Sequence, residues 1–198
     1  MSEIVKNYDS LKQISSRVDN VEEAKRIIDL LESVLKKHSN GYGLSAIQIG
    51  IPKNVSIVKY GKHDREFIHL INPEFIEKGE EFTFFGEGCL SFPEIYMETK
   101  RHKDFTIKNS VIDGNSFRED TLYFYYPEDD SDNKLESIAV EHEIDHLCGL
   151  TILDYGKPLV KPTPIINSQL KTGRNDPCPC GKKDSSGKIL KYKKCCGK

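Results

Sequence analysis

Two histidines, His142 and His146, flank a glutamate in the run His142-Glu143-Ile144-Asp145-His146. Side chains four residues apart share one helix face, so both imidazoles can reach the same ion. A glutamate beside that ion can take a proton from a water whose pKa the metal lowers from 15.7 toward about 7, and can return it to a leaving group. Plain polar helix faces carry histidines at this spacing too. A centre that does chemistry needs a third protein ligand and an open position. Cys89 is the candidate, in Glu87-Gly88-Cys89-Leu90-Ser91 directly after a strand-like run, where Gly88 frees the neighbouring backbone. Cys148 is nearer in sequence, but two residues past His146 it points off the histidine face and reads as packing. Leu135, Ile138 and Ala139 place apolar surface beside that face, suited to core packing and to an apolar substrate side chain alike.

Other elements must position these groups. From Val21 to Lys37 the apolar residues recur at three- and four-residue steps behind Asn20, which predicts one amphipathic helix with an asparagine N-cap. Ser39, Asn40 and Gly41 end it. The stretch Gly41-Tyr42-Gly43-Leu44-Ser45-Ala46-Ile47-Gln48 is small and glycine-punctuated, where a backbone can approach a ligand. Short β-rich runs follow at Val55 to Tyr60, Phe67 to Ile71, Phe82 to Phe85, Phe105 to Ile107 and Thr121 to Tyr126. Turn residues between them (Asn72-Pro73, Asp113-Gly114-Asn115) predict an antiparallel region. An acidic turn from Asp129 to Asn133 leads into a helix from about Lys134 to Leu147, with Gly149 just past its end. Prolines 158, 162 and 164 then forbid regular helix and mark a linker.

The chain has 198 residues, 37% hydrophobic and 30% charged, enough for one catalytic domain and a small appendage. A net charge of -2 gives no overall reason to bind DNA or an anionic membrane. With no long apolar stretch and no signal-peptide pattern, a cytoplasmic protein with reduced thiols is expected. Cysteines crowd the end of the chain, where Cys178 and Cys180 stand against Cys195 and Cys196. Four thiolates suit a closed tetrahedral zinc site. A redox-sensitive basic tail without metal is the bland alternative.

Three separated segments, Gly41 to Gln48, Glu87 to Ser91 and His142 to Leu147, resemble in order and spacing the signature motifs of peptide deformylases, over roughly residues 5 to 155. The resemblance implies an α+β peptide deformylase-like fold, with antiparallel sheets packed around a central helix that carries the histidines. It implies a metal held by Cys89, His142 and His146, iron(II) being usual and zinc, nickel or cobalt able to substitute. Softness alone would have favoured zinc. Glu143 is then general base and acid, while the Gln48 amide and the Leu90 N–H stabilise the oxyanion as water attacks the formyl group of an N-formyl-methionyl nascent peptide. The peptide is expected to pair in extended form near Tyr42, Gly43 and Gly88, with methionine beside Ile138 and Ala139. Departures from the pattern are Ser45, where alanine is usual, Ile47, where proline is frequent, and Glu141, where glutamine commonly precedes the first histidine. Arg101 matches an arginine near the substrate's exit, or is a solvated surface charge.

The tail resembles the SEC-C zinc motif with a longer internal loop, Asp184 to Leu190, and is basic through Lys182, Lys183, Lys188, Lys191, Lys193, Lys194 and Lys198. Ribosomal RNA or an acidic ribosomal protein is the expected partner. The organisation read from the sequence is a catalytic domain over 1–156, a linker over 157–172 and a zinc module over 173–198. Two rivals differ in class. An HExxH zinc endopeptidase predicts a downstream histidine or glutamate as third ligand; His63 and His102 lie upstream, and Cys89 has the better local context. A catalytically silent binding module would need no such complete set of groups.

Overall fold

The computed structural model describes residues 3–60, 66–127 and 134–159, and in the tail 175, 178, 183 and 187–195. The chain divides into two compact units, Met1–Leu159 and Val160–Lys198. The turn expected over 129–133, the linker beyond Leu159, His63, Cys180 and Cys196 lie outside the described residues.

The larger unit begins with a short helix α1 (Tyr8–Leu11) and the amphipathic helix α2 (Val21–Leu35). Asn20 caps α2 by accepting from the Glu23 N–H, as its position predicted. β1 (Gly43–Ser45) follows, then a 3-10 turn (Ala46–Ile49), β2 (Val55–Tyr60) and β3 (Glu66–Ile71), which pair antiparallel in the order β1-β2-β3. β2 is buried on both faces. Val55 and Ile57 pack with Ile27, Leu31 and Leu35 of α2, whereas Val58 joins a second core with Ala139, Val140 and Ile144. A strand covered on both sides reads as a continuous apolar run, which is why Val55 to Val58 does not alternate cleanly.

β4 (Glu74–Lys78), β7 (Asp104–Asp113) and β8 (Ser116–Tyr125) make a second antiparallel sheet, and β5 (Glu81–Cys89), β6 (Phe92–His102) and β9 (Lys157–Pro158) a third. β4 and β6 carry no apolar alternation that singles them out. β6 instead exposes Glu94 to Tyr96 and buries Met97, Thr99 and Arg101. Helix α3 (Lys134–Leu147) closes the second core, its Ala139, Val140 and Ile144 packing with Phe105, Ile107 and Phe124. A short helix α4 (Ile152–Tyr155) follows, capped by Thr151.

Gly149 ends α3 at φ 73°, where a left-handed residue stops a helix. A Cβ there would lie 2.5 Å from the backbone carbonyl oxygen of Lys12, so the site needs glycine for its space as well as its angle. In the tail unit, the Cys178 N–H donates to the Leu190 carbonyl at 2.7 Å, Lys183 and Ile189 form an antiparallel bridge, and Tyr192–Lys194 is one 3-10 turn. Cys178 is buried and Cys195 half-buried. No helix among the described residues is long and apolar enough to cross a membrane.

Gly149→Ala should cost about 1–3 kcal/mol through combined strain and crowding, read as a lowered urea midpoint. A wild-type midpoint would show that the Lys12 backbone yields freely.

Candidate metal centre

One turn of α3 and the end of β5 meet in a cleft of about 1130 Å³. The ligand atoms of Cys89, His142 and His146 lie within 4.8 Å of one another, all three side chains buried. Bonds of about 2.0–2.3 Å to a tetrahedral ion would set such atoms about 3.3–3.8 Å apart, so a small inward movement suffices. Sγ of Cys89 is already 3.2 Å from Nε2 of His146. Nδ1 of His146 has no hydrogen-bond partner among the described residues although the ring is fully buried. One sulfur and two nitrogens suit a transition metal better than magnesium or calcium.

His142 is oriented from behind. Its Nδ1 lies 2.7 Å from Oε1 of Glu87, which leaves Nε2 for the centre. Glu87 is 4% exposed and also receives the Thr99 hydroxyl at 2.6 Å and a bidentate Arg101 guanidinium. Burial works against its charge, yet Arg101 and His142 hold the carboxyl well below the usual range. Arg101 in turn donates to Asp145 at 2.7 Å and to the Tyr155 hydroxyl, and the Tyr155 hydroxyl donates to Asp145 at 2.6 Å.

This corrects one expectation. Arg101 is 2% exposed, so it is no solvated surface charge. It neutralises the carboxylate that aims His142. Cys148 does point away from the centre, but it is exposed rather than packed. Glu141 takes both the His102 N–H and His102 Nδ1, each at 2.8 Å, which engages the rival histidine away from the centre. Sequence reasoning assigned no role to Glu87, Thr99, Asp145 or Tyr155. Glu87 and Asp145 carried a signal, each lying inside a motif beside a ligand.

The remaining groups converge on the same cleft. Gln48 Oε1 accepts the Ser45 N–H at 2.9 Å, so its amino group turns toward Cys89 Sγ at 3.5 Å and Ser91 Oγ at 3.2 Å. Glu143 is 3% exposed, and burial pushes its carboxyl up to about 7 despite the nearby His142 and the Ser45 hydroxyl, which favour the charged form. Burial also disfavours protonation of His146, whereas in His142 the contacts with Cys89 and Glu87 overcome burial and favour it. A neutral, ligating His146 needs no proton removed. Tyr42, Gly43, Gly88, Leu90, Ile138 and Ala139 line the cleft, as does Leu135.

The polypeptide deformylase family model matches residues 1–162. The peptide deformylase of Baumannia cicadellinicola subsp. Homalodisca coagulata is 33% identical over 151 residues, 75% of this chain and 82% of that protein. That of Rhodopseudomonas palustris (strain BisB18) is 35% identical over 150 residues, covering 73% and 79%. Among solved structures, the peptide deformylase of Plasmodium falciparum matches with a TM-score of 0.66 at 27% identity, over 78% of this chain and 86% of that one.

Glu87→Gln keeps the shape but loses the charge that orients His142 and balances Arg101. Its affinity for a divalent metal should fall about 10–100-fold, measured by competition with a chromophoric chelator; unchanged affinity would show that Glu87 does not support the centre.

Proposed function

The chain belongs to the polypeptide deformylase family, and on that premise we propose that it is a hydrolase that removes the formyl group from N-formyl-methionyl nascent peptides and releases formate. The observation that carries this reading is the meeting of Cys89, His142 and His146, with Cys89 and His142 lining one cleft together with Glu143. Those three side chains would hold a divalent metal, which when bound supplies the Lewis acidity that activates water and polarises the formyl oxygen. We take iron(II) as the native ion on family grounds, with zinc, nickel or cobalt as substitutes.

Glu143 takes the proton of the attacking water and delivers it to the leaving amine as the C–N bond breaks. Its raised carboxyl suits both tasks, since near neutrality it can accept a proton and give it up. The Gln48 amino group, aimed by the Ser45 N–H on its other end, donates to the developing oxyanion together with the Leu90 N–H. The substrate backbone runs in extended form past Tyr42, Gly43 and Gly88. Methionine's side chain lies against Leu135, Ile138 and Ala139, where its apolar thioether stem is removed from water.

Residues 173–198 form a separate zinc-binding module in this reading, joined by the stretch 157–172, with Cys178, Cys180, Cys195 and Cys196 as ligands. The closure of Cys178 on Leu190 supports a hairpin that would bring the two cysteine pairs near each other. Its lysines would dock the cytoplasmic enzyme on the ribosome through RNA or an acidic ribosomal protein, where its substrates emerge.

Protein purified anaerobically with iron or nickel should release formate from formyl-Met-Ala-Ser. Glu143→Ala should slow turnover at least about 10²–10⁴-fold with metal retained; activity surviving the change would refute its role. Full-length protein should hold one zinc more than a chain ending at Lys171 and should pellet with ribosomes where the shorter chain does not. Equal zinc content and equal pelleting would remove the tail from the proposal.

A further inference from the structure

Ser45 carries a hydroxyl to which the reaction described so far gives no part. The residue is fully buried on β1, directly across from Ser56 of β2. Its Oγ lies 2.6 Å from Oε2 of Glu143, 3.0 Å from the Glu143 backbone carbonyl oxygen and 3.0 Å from Oγ of Ser56. The other carboxylate oxygen faces elsewhere: a Cβ on Gly43 would come within 2.6 Å of Glu143 Oε1, and Gly43 lines the cleft. The two oxygens are therefore inequivalent. Gly43 and Ser45 share one face of β1, and the carboxylate lies across it, one oxygen held by the Ser45 hydroxyl and the other over Gly43, at the cleft wall.

We propose that Ser45 is a positioning residue for deformylation, its hydroxyl anchoring Oε2 of Glu143 so that Oε1 alone exchanges the proton. A glutamate has several soft torsions, and the last of them is broad. A hydrogen bond from a fixed hydroxyl to a buried carboxylate is short and strong enough to select one orientation. Ser45 is itself fixed, by the β1–β2 pairing and by its N–H to Gln48 Oε1. When Ser56 donates to Ser45, the single Ser45 proton is left for Glu143. Both candidate acceptors, the carboxylate and the backbone carbonyl, belong to that residue. Ser45 gives up no proton. The proton of the attacking water goes to Oε1, the Ser45 bond to Oε2 persists because a carboxylic acid's carbonyl oxygen still accepts, and Oε1 then passes its proton to the leaving amine. The same residue thus aligns two groups at once, Gln48 through its backbone and Glu143 through its side chain.

This inference rests on the deformylase reading, and formate release by the unaltered protein is the control that separates the two. Without it the reading itself falls. With it, Ser45→Ala should lower kcat about tenfold, leaving KM for the formylated peptide and metal content unchanged. Ser56→Ala should lower kcat about two- to threefold, and in the Glu143→Ala background Ser45→Ala should add no further loss. In metal-free protein, the shifts in urea midpoint caused by Ser45→Ala and Glu143→Gln should sum to more than the double variant shows. Wild-type kcat in Ser45→Ala, a loss carried by KM, or the same fall repeated in full without Glu143 would overturn the assignment. Should Ser45→Ala fail to fold, an unchanged kcat in Ser56→Ala overturns it instead.

Discussion

Glu87 answers to two demands that oppose each other. To aim His142 and strengthen it as a ligand, a carboxylate must stand behind Nδ1 in its charged form. To sit there it must be buried, and an uncompensated buried charge costs several kcal/mol. Arg101 resolves the conflict with a bidentate contact, and Thr99 fills a further lone pair. Arg101 then needs a second anion, which Asp145 supplies from α3, three residues past His142. The ligand helix is thereby held to β5 and β6 by charge at the points where it must be registered most finely. Glu141 adds a third tie, to His102 at the end of β6. Apolar packing of α3, through Ala139, Val140 and Ile144, supplies stability without comparable directionality.

The same division runs through β1 and β2. Their apolar side chains Leu44, Val55 and Ile57 join the core under α2. The polar cross-strand pair Ser45 and Ser56 reaches Glu143 of α3 instead. A sheet covered on both faces can do this because alternate residues leave in opposite directions. The cost is that Ser45 and Ser56 must find every hydrogen-bond partner inside the protein, and their mutual contact and the Glu143 oxygens provide them.

Much of this was legible in the residues. The α2 cap at Asn20, the α3 span and the glycine that ends it follow from local rules that tertiary structure had no reason to override. The three side chains that could hold a metal were legible as types at a spacing, although only the fold brings Cys89 to the histidines across more than fifty residues. β4 and β6 were not legible. β6 mixes buried charge with exposed aromatics because it lies between a polar clasp on one side and the cleft on the other, which erases the two-residue apolar period. For the same reason the sequence left Arg101 open between an arginine near the substrate's exit and a solvated surface charge. A buried arginine is unreadable until its two carboxylate partners are seen to converge on it. Ser45 showed up only as a departure from a family pattern, its purpose hidden until Glu143 was seen behind it.

Tyr155 gives this arrangement an end point. Its hydroxyl stands between Asp145 and Arg101, and its ring lies 5.3 Å from the guanidinium carbon. Past it, Lys157 and Pro158 add only a two-residue edge to β6. The charge network around Arg101 therefore closes at Tyr155, before the strand pairing ends. A protease that trims back to Gly156 removes a fringe of the sheet, whereas one that cuts before Tyr155 strips a buried cation of a partner and loosens, at a remove, the histidine that faces the cleft.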